Sequence, residues 1–552
     1  MNKLIVIILA VLPFYGAAQV DWENPKGAIK SEEIVIEKDK QLTLPTVSRR
    51  FSSITVDPVG IDTMAIKYMP KDINIELPKI PIKLRPRTMK SEALDKTYWG
   101  NFKLGFGSYV SPYVQADVAS RRNDEYAVAL HFRHFSSARG PVDNRNSGLS
   151  NTDGYVSGKV FLNKATLGAS VGAKFDKFHL YGYDAAMPIP ESQSIEQNLS
   201  TYSMAISITD NDAKNDFYYQ VNAGSYFFGA KNLDWKESDF YANINTGIIA
   251  SDNLKIKILG DLHVASQNYA TSTAGRSLYM VKPIGVYSMD AFDFELGAGI
   301  YGTKDSINNY DSKLYIMPHI VARYTMASGQ RISAGIKGDV TWQSARTRFD
   351  RNPYLGGSTV INNEVKPIDA FVEINGKLAP KVDFSLGYHA ALYKVFGQYV
   401  NNTTDQSTFY IDYRTENNLI HTLNGQFDFI TSKNLLLSVY GKYLIFNFKT
   451  LDNAFHLPKV DVGFKAKFNL ENRFDAELSL AYLDGIYAFD TNSASEIKLN
   501  SILDMNISTS YKINSTFSAF VRMQNILGNR YQYFYNYPAK GFQALVGVSI
   551  TL

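Results

Sequence analysis

A two-residue hydrophobic alternation running from about Tyr98 to Leu552 constrains this chain more than any other feature. In "KVDVGFKAKFNLENRFDAELSLAY", Lys459 to Tyr482, the apolar positions are Val460, Val462, Phe464, Ala466, Phe468 and Leu470. Between them stand Lys459, Asp461, Gly463, Lys465, Lys467 and Asn469. After Glu471 and Asn472 the pattern restarts with Phe474, Ala476, Leu478 and Leu480. Period two belongs to strands, because successive side chains leave a strand on opposite faces. One face is therefore apolar and the other polar. The same holds for Leu254–Val264 and Ile332–Trp342.

The connections take turns in length. Short ones carry turn residues: Ser251-Asp252-Asn253, Ser328-Gly329, Ala379-Pro380, Ser432-Lys433-Asn434. Long ones are polar, such as "SSARGPVDNRNSGLSNTDG" from Ser136 and "ARTRFDRNPYLGGSTVINNE" from Ala345. Alternating short and long connections predict an up-and-down membrane barrel with tight periplasmic turns and long external loops. Strands are expected to start near Trp99, Pro112, Tyr126, Gly154, Thr166, Gln197, Phe217, Phe240, Leu254, Ser277 and Phe292. Others start near Leu314, Arg331, Pro367, Val382, Asn417, Leu435, Lys459, Arg473, Lys498, Phe517 and Phe542. That makes about 22, an even number as bacterial barrels require. The repeat of roughly 20 residues is too long for a soluble sandwich, whose strands recur every 8 to 12. The fold class is thus all-β, a transmembrane antiparallel barrel, with lipid outside and a watery lumen inside. Aromatics make up 13% of the chain, 36 Tyr and 33 Phe against 4 Trp. Rings in "YGYD", "SYFF", "IYAF" and "YQYFYNY" are expected to form interfacial girdles.

The start, "MNKLIVIILAVLPFYGAAQV", has Lys3, an apolar Leu4–Leu12 core and small residues Gly16, Ala17 and Ala18. It reads as a secretory signal over residues 1–18, cleaved after Ala18 or Gln19. Residues 19–96 read as an extended periplasmic arm; its stretch from Gln41 to Arg87 has six prolines and no helical pattern. Residues 97–552 form the barrel. The expected location is the bacterial outer membrane. Absent cysteine fits an oxidising compartment, and the net charge of +4 without a basic block argues against nucleic acid.

The end, "AFVRMQNILGNRYQYFYNYPAKGFQALVGVSITL", resembles the final two strands of TonB-dependent receptors through Asn525-Ile526-Leu527, Tyr531, a Tyr/Pro loop and Gly541. Phe542, Val548, Ile550 and Leu552 resemble the C-terminal signal read by the insertion machinery. The resemblance implies a conduit or receptor in the outer membrane. That family carries an N-terminal plug, and the arm here does not read as one. "SEEIVIEK" contains Glu33, Ile34, Val35 and Ile36, which resemble the short box that pairs with TonB; an extended β-branched run can add a strand to a partner's sheet edge. Expected partners are outer-membrane lipid, TonB or another periplasmic protein, and a chain filling the lumen or capping the outside. The competing function is a non-transporting scaffold subunit of a larger outer-membrane assembly or secretion complex.

Catalytic motifs are not evident. "GAGIYG", Gly297–Gly302, lies within strand alternation rather than between a strand and a helix, so it is no dinucleotide loop. His131 and His134 sit three apart on opposite faces and cannot share a metal; they, with His263, His319 and His389, are expected to hydrogen-bond in the lumen. No enzyme, cofactor or metal site is expected. Arg139, Asp143 and Arg145 are candidate external contacts, and the loop from Arg346 to Asn363 is expected to be solvated like theirs.

Overall fold

The structure is a computed structural model describing residues 97–552, except 185, 187, 212–215, 270, 271, 310, 471, 472, 491, 492 and 494. The signal, the arm and the Glu33, Ile34, Val35 and Ile36 box lie outside the described residues. Twenty-two strands form one antiparallel sheet, from Gly100–Gly107 to Gln543–Thr551. The sheet closes because the last strand pairs with the first, from Asn101 opposite Thr551 to Gly107 opposite Leu545. Leu552 secures the seam, accepting from Trp99 N at 2.8 Å and donating to Gly100 O at 2.9 Å. Each expected strand start falls within five residues of an observed one; the alternation begins where the backbone enters the wall. Among the described residues no helix is long and apolar enough to cross a membrane; the crossings are strands.

The two faces meet different media. Val171, Ile206, Leu296 and Ile316 are 65–70% exposed on the outside in the middle of long strands. Inside, charges pair: Glu295 with His319 at 2.9 Å and Arg323 at 2.8 Å on the neighbouring strand, and Lys366 with Asp369 at 2.8 Å along one strand. His131 lies between Asp117 and Asp153, and His389 between Asp369 and Glu373. His134 differs from expectation. It shares the outward face with the exposed Leu130 and Phe132 and hydrogen-bonds Thr152 at 2.8 Å. A strand cannot turn both histidines inward three residues apart.

The wall has no thick core of its own; the apolar packing is gathered at the external end. One cluster joins Leu199, Phe228 and Trp235 of the strands to Phe349, Leu355, Tyr399, Phe409 and Tyr537 of three long connections. Another joins Ile486, Ala488, Leu499 and Ile502. The girdle expectation is corrected here. Trp99, Tyr126, Phe161, Phe217 and Tyr511 do sit exposed at the inner strand ends. But Phe228 and Tyr537 are 5% and 4% exposed, and Tyr181 packs against the same cluster. A ring at the outer end of a strand can turn to the interface or inward over the mouth, and alternation does not distinguish the two.

Candidate functional site

The external connections build a cap inside the mouth. Its centre is a helix, Ala345–Arg351, in the stretch expected to be a solvated loop. Ser344 caps it: its side chain accepts from Thr347 N, and Thr347 Oγ1 accepts from Ser344 N. Such a reciprocal box satisfies backbone donors that a helix start leaves free. The wall supplies another acceptor. Glu237, 3% exposed on the strand Trp235–Ser251, accepts from Ala345 N at 2.9 and 3.1 Å. A carboxylate also suits the positive end of the helix.

The helix side chains reach several parts of the lumen. Phe349 packs on Phe228 and Trp235, with centroids 5.2 and 6.3 Å away. Arg346 lies over the Tyr226 ring at 4.1 Å. Asp350 meets Lys174 of the strand Ala165–His179 at 2.6 Å. Arg348, 1% exposed, donates to Glu364 at 2.8 Å, holding the helix to the strand that follows its loop. Arg276 stacks on Trp342 at 4.6 Å and donates to Gln343 O at 2.7 Å and Asn363 Oδ1 at 3.0 Å. Four charged or polar tethers therefore replace solvation that these groups would otherwise lose on burial.

Two further loops complete the cap. Tyr354 stacks on Tyr537 at 3.5 Å, and the Tyr537 hydroxyl donates to Ser407 O. His456, 2% exposed, lies between Phe409 and Phe534, with centroids 5.4 and 5.3 Å away. Its Nδ1–H donates to Tyr533 O at 3.0 Å, while Nε2 has no partner among the described residues. Burial holds this imidazole down at a pKa of about 4, so it stays neutral.

Below the cap lies a cavity of about 500 Å³, with Phe349 and Asp350 on one side and Arg133, Lys174 and Arg522 on the wall. A second, of about 800 Å³, extends to Lys433 and Asn434 in an inner turn, and Arg522 lines both. Among the described residues, the two cavities thus adjoin at Arg522 along this wall.

The loop of Arg139, Asp143 and Arg145 is ordered, not free. Asn146 is buried and donates to Pro190 O at 2.9 Å; Asp143 accepts from the Tyr183 hydroxyl. Arg139 and Arg145 are exposed. Val548 on the closing strand and Phe542 just before it are exposed, 47% and 46%. Among the described residues, no His, Asp and Glu group is arranged to hold a metal ion. The cap residues were missed in the sequence because their partners are remote. The available signals were the capping pair Ser344/Thr347 and the unalternating rings of Tyr531–Tyr537.

No protein-family model matches the chain, and no curated protein matches its sequence. Solved structures do match its fold. The FrpB iron transporter from Neisseria meningitidis (F5-1 variant) superposes with a TM-score of 0.65 at 9% identity, covering 83% of each chain. The copper transporter OprC gives 0.63 at 10% identity, covering 83% of this chain and 82% of its own. The siderophore receptor PirA from Acinetobacter baumannii gives 0.62 at 11% identity, covering 83% and 81%. The shared architecture is the large closed outer-membrane-type barrel.

Proposed function

We propose that this chain is an outer-membrane conduit or receptor of the TonB-dependent receptor type, with its external mouth held by its own cap. The carrying observation is the polar lumen, with one cavity beneath the cap helix and a second reaching the inner turns among the described residues. The similarity to barrels described as transporters and receptors supports the reading. The test is conductance of the purified full-length protein in planar bilayers. Wild type is expected to conduct little. Replacing 344–354 by a Gly/Ser linker is expected to give stable open steps, alone or together with removal of residues up to about Lys90. A folded, inserted variant that stays silent would reject transport.

A second reading, a scaffold subunit of a larger outer-membrane assembly, draws on the cap's solid packing: Phe409, Leu355 and Trp235 are each 0% exposed. Stoichiometric partners in a native pull-down from membranes, lost on replacing Arg139 and Arg145, would favour it. Pairing of Glu33, Ile34, Val35 and Ile36 with a TonB-type partner is read by deleting those four residues in the same pull-down. An insertion role for the C-terminal residues is read by deleting Leu552 and measuring membrane assembly.

A further inference from the structure

The wall beneath the cap carries a mismatch of charge. Most cations there are already engaged: Lys174 with Asp176 and Asp350, Lys177 with Glu196, Arg133 with Asp153. Arg522 and Lys540 are not. Arg522, on the strand Phe517–Gln524, lies 5.0 Å from the Tyr113 ring and 5.4 Å from the Phe520 ring, with the Lys103 ammonium near enough to repel it. Lys540, in the loop before the closing strand, lies 5.5 Å from the Tyr109 ring. Among the described residues, neither makes an ion pair. Burial alone holds the Lys540 amine down at a pKa of about 8, with no carboxylate acting against it.

These cations line two adjoining cavities. Lys540 lines a cavity of about 430 Å³ under the last external loop. Arg522 lines the neighbouring cavity of about 500 Å³. The two share seven lining residues, including Gln524, Gln543, Phe178 and Tyr354. Gln524 and Gln543 are directly opposite each other in the sheet, two positions along from Arg522 opposite Leu545. Both glutamines line the two cavities, with Phe178 and Tyr354 beside them. Asp504 lines the Lys540 cavity too; one oxygen accepts from Asn506 at 2.9 Å and the other is buried without a partner among the described residues. That oxygen offers an acceptor to a ligand donor.

We propose that this paired cavity binds a small oxyanion-bearing molecule with a planar middle, held between Arg522 and Lys540, with a donor group facing Asp504. Carboxylate and phosphate share the required chemistry, since both accept charge-assisted hydrogen bonds from guanidinium and ammonium groups. As an assignment of cargo the proposal rests on the conduit reading. Binding itself is measured without transport, so either can fail alone.

The probe is pyridoxal 5′-phosphate, applied to the full-length protein in detergent. Its aldehyde condenses with a lysine Nζ to an imine, releasing water, and borohydride reduces the imine to a stable secondary amine that mass spectrometry locates. The reading is the ratio of labelling by pyridoxal 5′-phosphate to labelling by pyridoxal, which lacks the phosphate. At Lys540 this ratio is expected to exceed that at exposed Lys512 by about tenfold, the size of one charge-assisted bond. Arg522→Gln is expected to remove the excess and Arg522→Lys to retain part of it, in variants that keep the heat-modifiable mobility of a folded barrel. Protection of Lys540 by terephthalate or by inorganic phosphate supports the site and tells which oxyanion it prefers. Equal ratios at Lys540 and Lys512, an excess untouched by Arg522→Gln, or protection by neither anion would overturn it.

Discussion

Replacing Arg348 with methionine removes a cation from inside the cap while keeping most of the side-chain volume. The guanidinium is 1% exposed and its partner Glu364 is 16% exposed, so the carboxylate is left largely desolvated and alone. Removing one member of a buried pair costs about 3–5 kcal/mol. Glu364 keeps some access to water, which places this case near the lower end, at about 3 kcal/mol. Each 1.4 kcal/mol is a factor of ten, so the ratio of open to closed cap should rise by about 100-fold. The wall should not notice, because its strands are paired independently of the helix. Limited proteolysis of the reconstituted protein reads the first quantity at cap loops, and heat-modifiable gel mobility reads the second. In the Arg348→Met/Glu364→Gln double variant the cost should be less than the sum of the single ones, because neither charge is then stranded. A cap cleaved within twofold of wild type in Arg348→Met, or strict additivity in the double variant, would refute the reasoning.

Three other outcomes follow from the same structure. Val171→Arg puts a charge on the lipid face mid-strand, where the side chain is 65% exposed, and should destabilise refolded barrels in vesicles by about 2–4 kcal/mol in denaturant titrations. Gly182→Ala would bring a Cβ within 2.5 Å of the Tyr537 ring, so that ring must leave its stack on Tyr354; about 1–3 kcal/mol of cap stability should go, read by faster hydrogen exchange in 525–542. His456 titrates at about 4 when folded against 6.5 when exposed, so the closed cap prefers the neutral ring. Its contribution is complete above pH 6.5 and declines by about 3 kcal/mol as pH falls to 4. His456→Phe should flatten that part of the pH profile of cap proteolysis; an unchanged slope would show that other groups set it.

The barrel was legible in the sequence because two solvents impose it locally. At Val460–Leu470 each residue states its own side, with no knowledge of a partner strand. The cap was not legible for the opposite reason. Arg348 needs Glu364, Arg276 needs Asn363 and Lys174 needs Asp350, pairs separated by up to 176 positions. Each alone looks like a hydrated surface charge, which is why 345–363 reads as a wet loop. Tyr537 and Tyr181 read as interface rings, since a ring's chemistry serves lipid headgroups and a buried stack equally well. The inner cavity was hidden in the same way, because Arg522 and Lys540 stand out only once their neighbours' charges are matched off.

The pieces of the cap's main cluster come from Leu199 at one extreme and Tyr537 at the other. During biogenesis, then, the pore is sealed late. Contacts so distant in sequence form slowly, because the intervening chain must first be ordered. Tyr354 has no Tyr537 to meet until the last hairpin, between the strands Phe517–Gln524 and Gln543–Thr551, is in place. Completion of the cap is therefore tied to closure of the wall, because the strand that seals the seam follows Tyr537 in the chain.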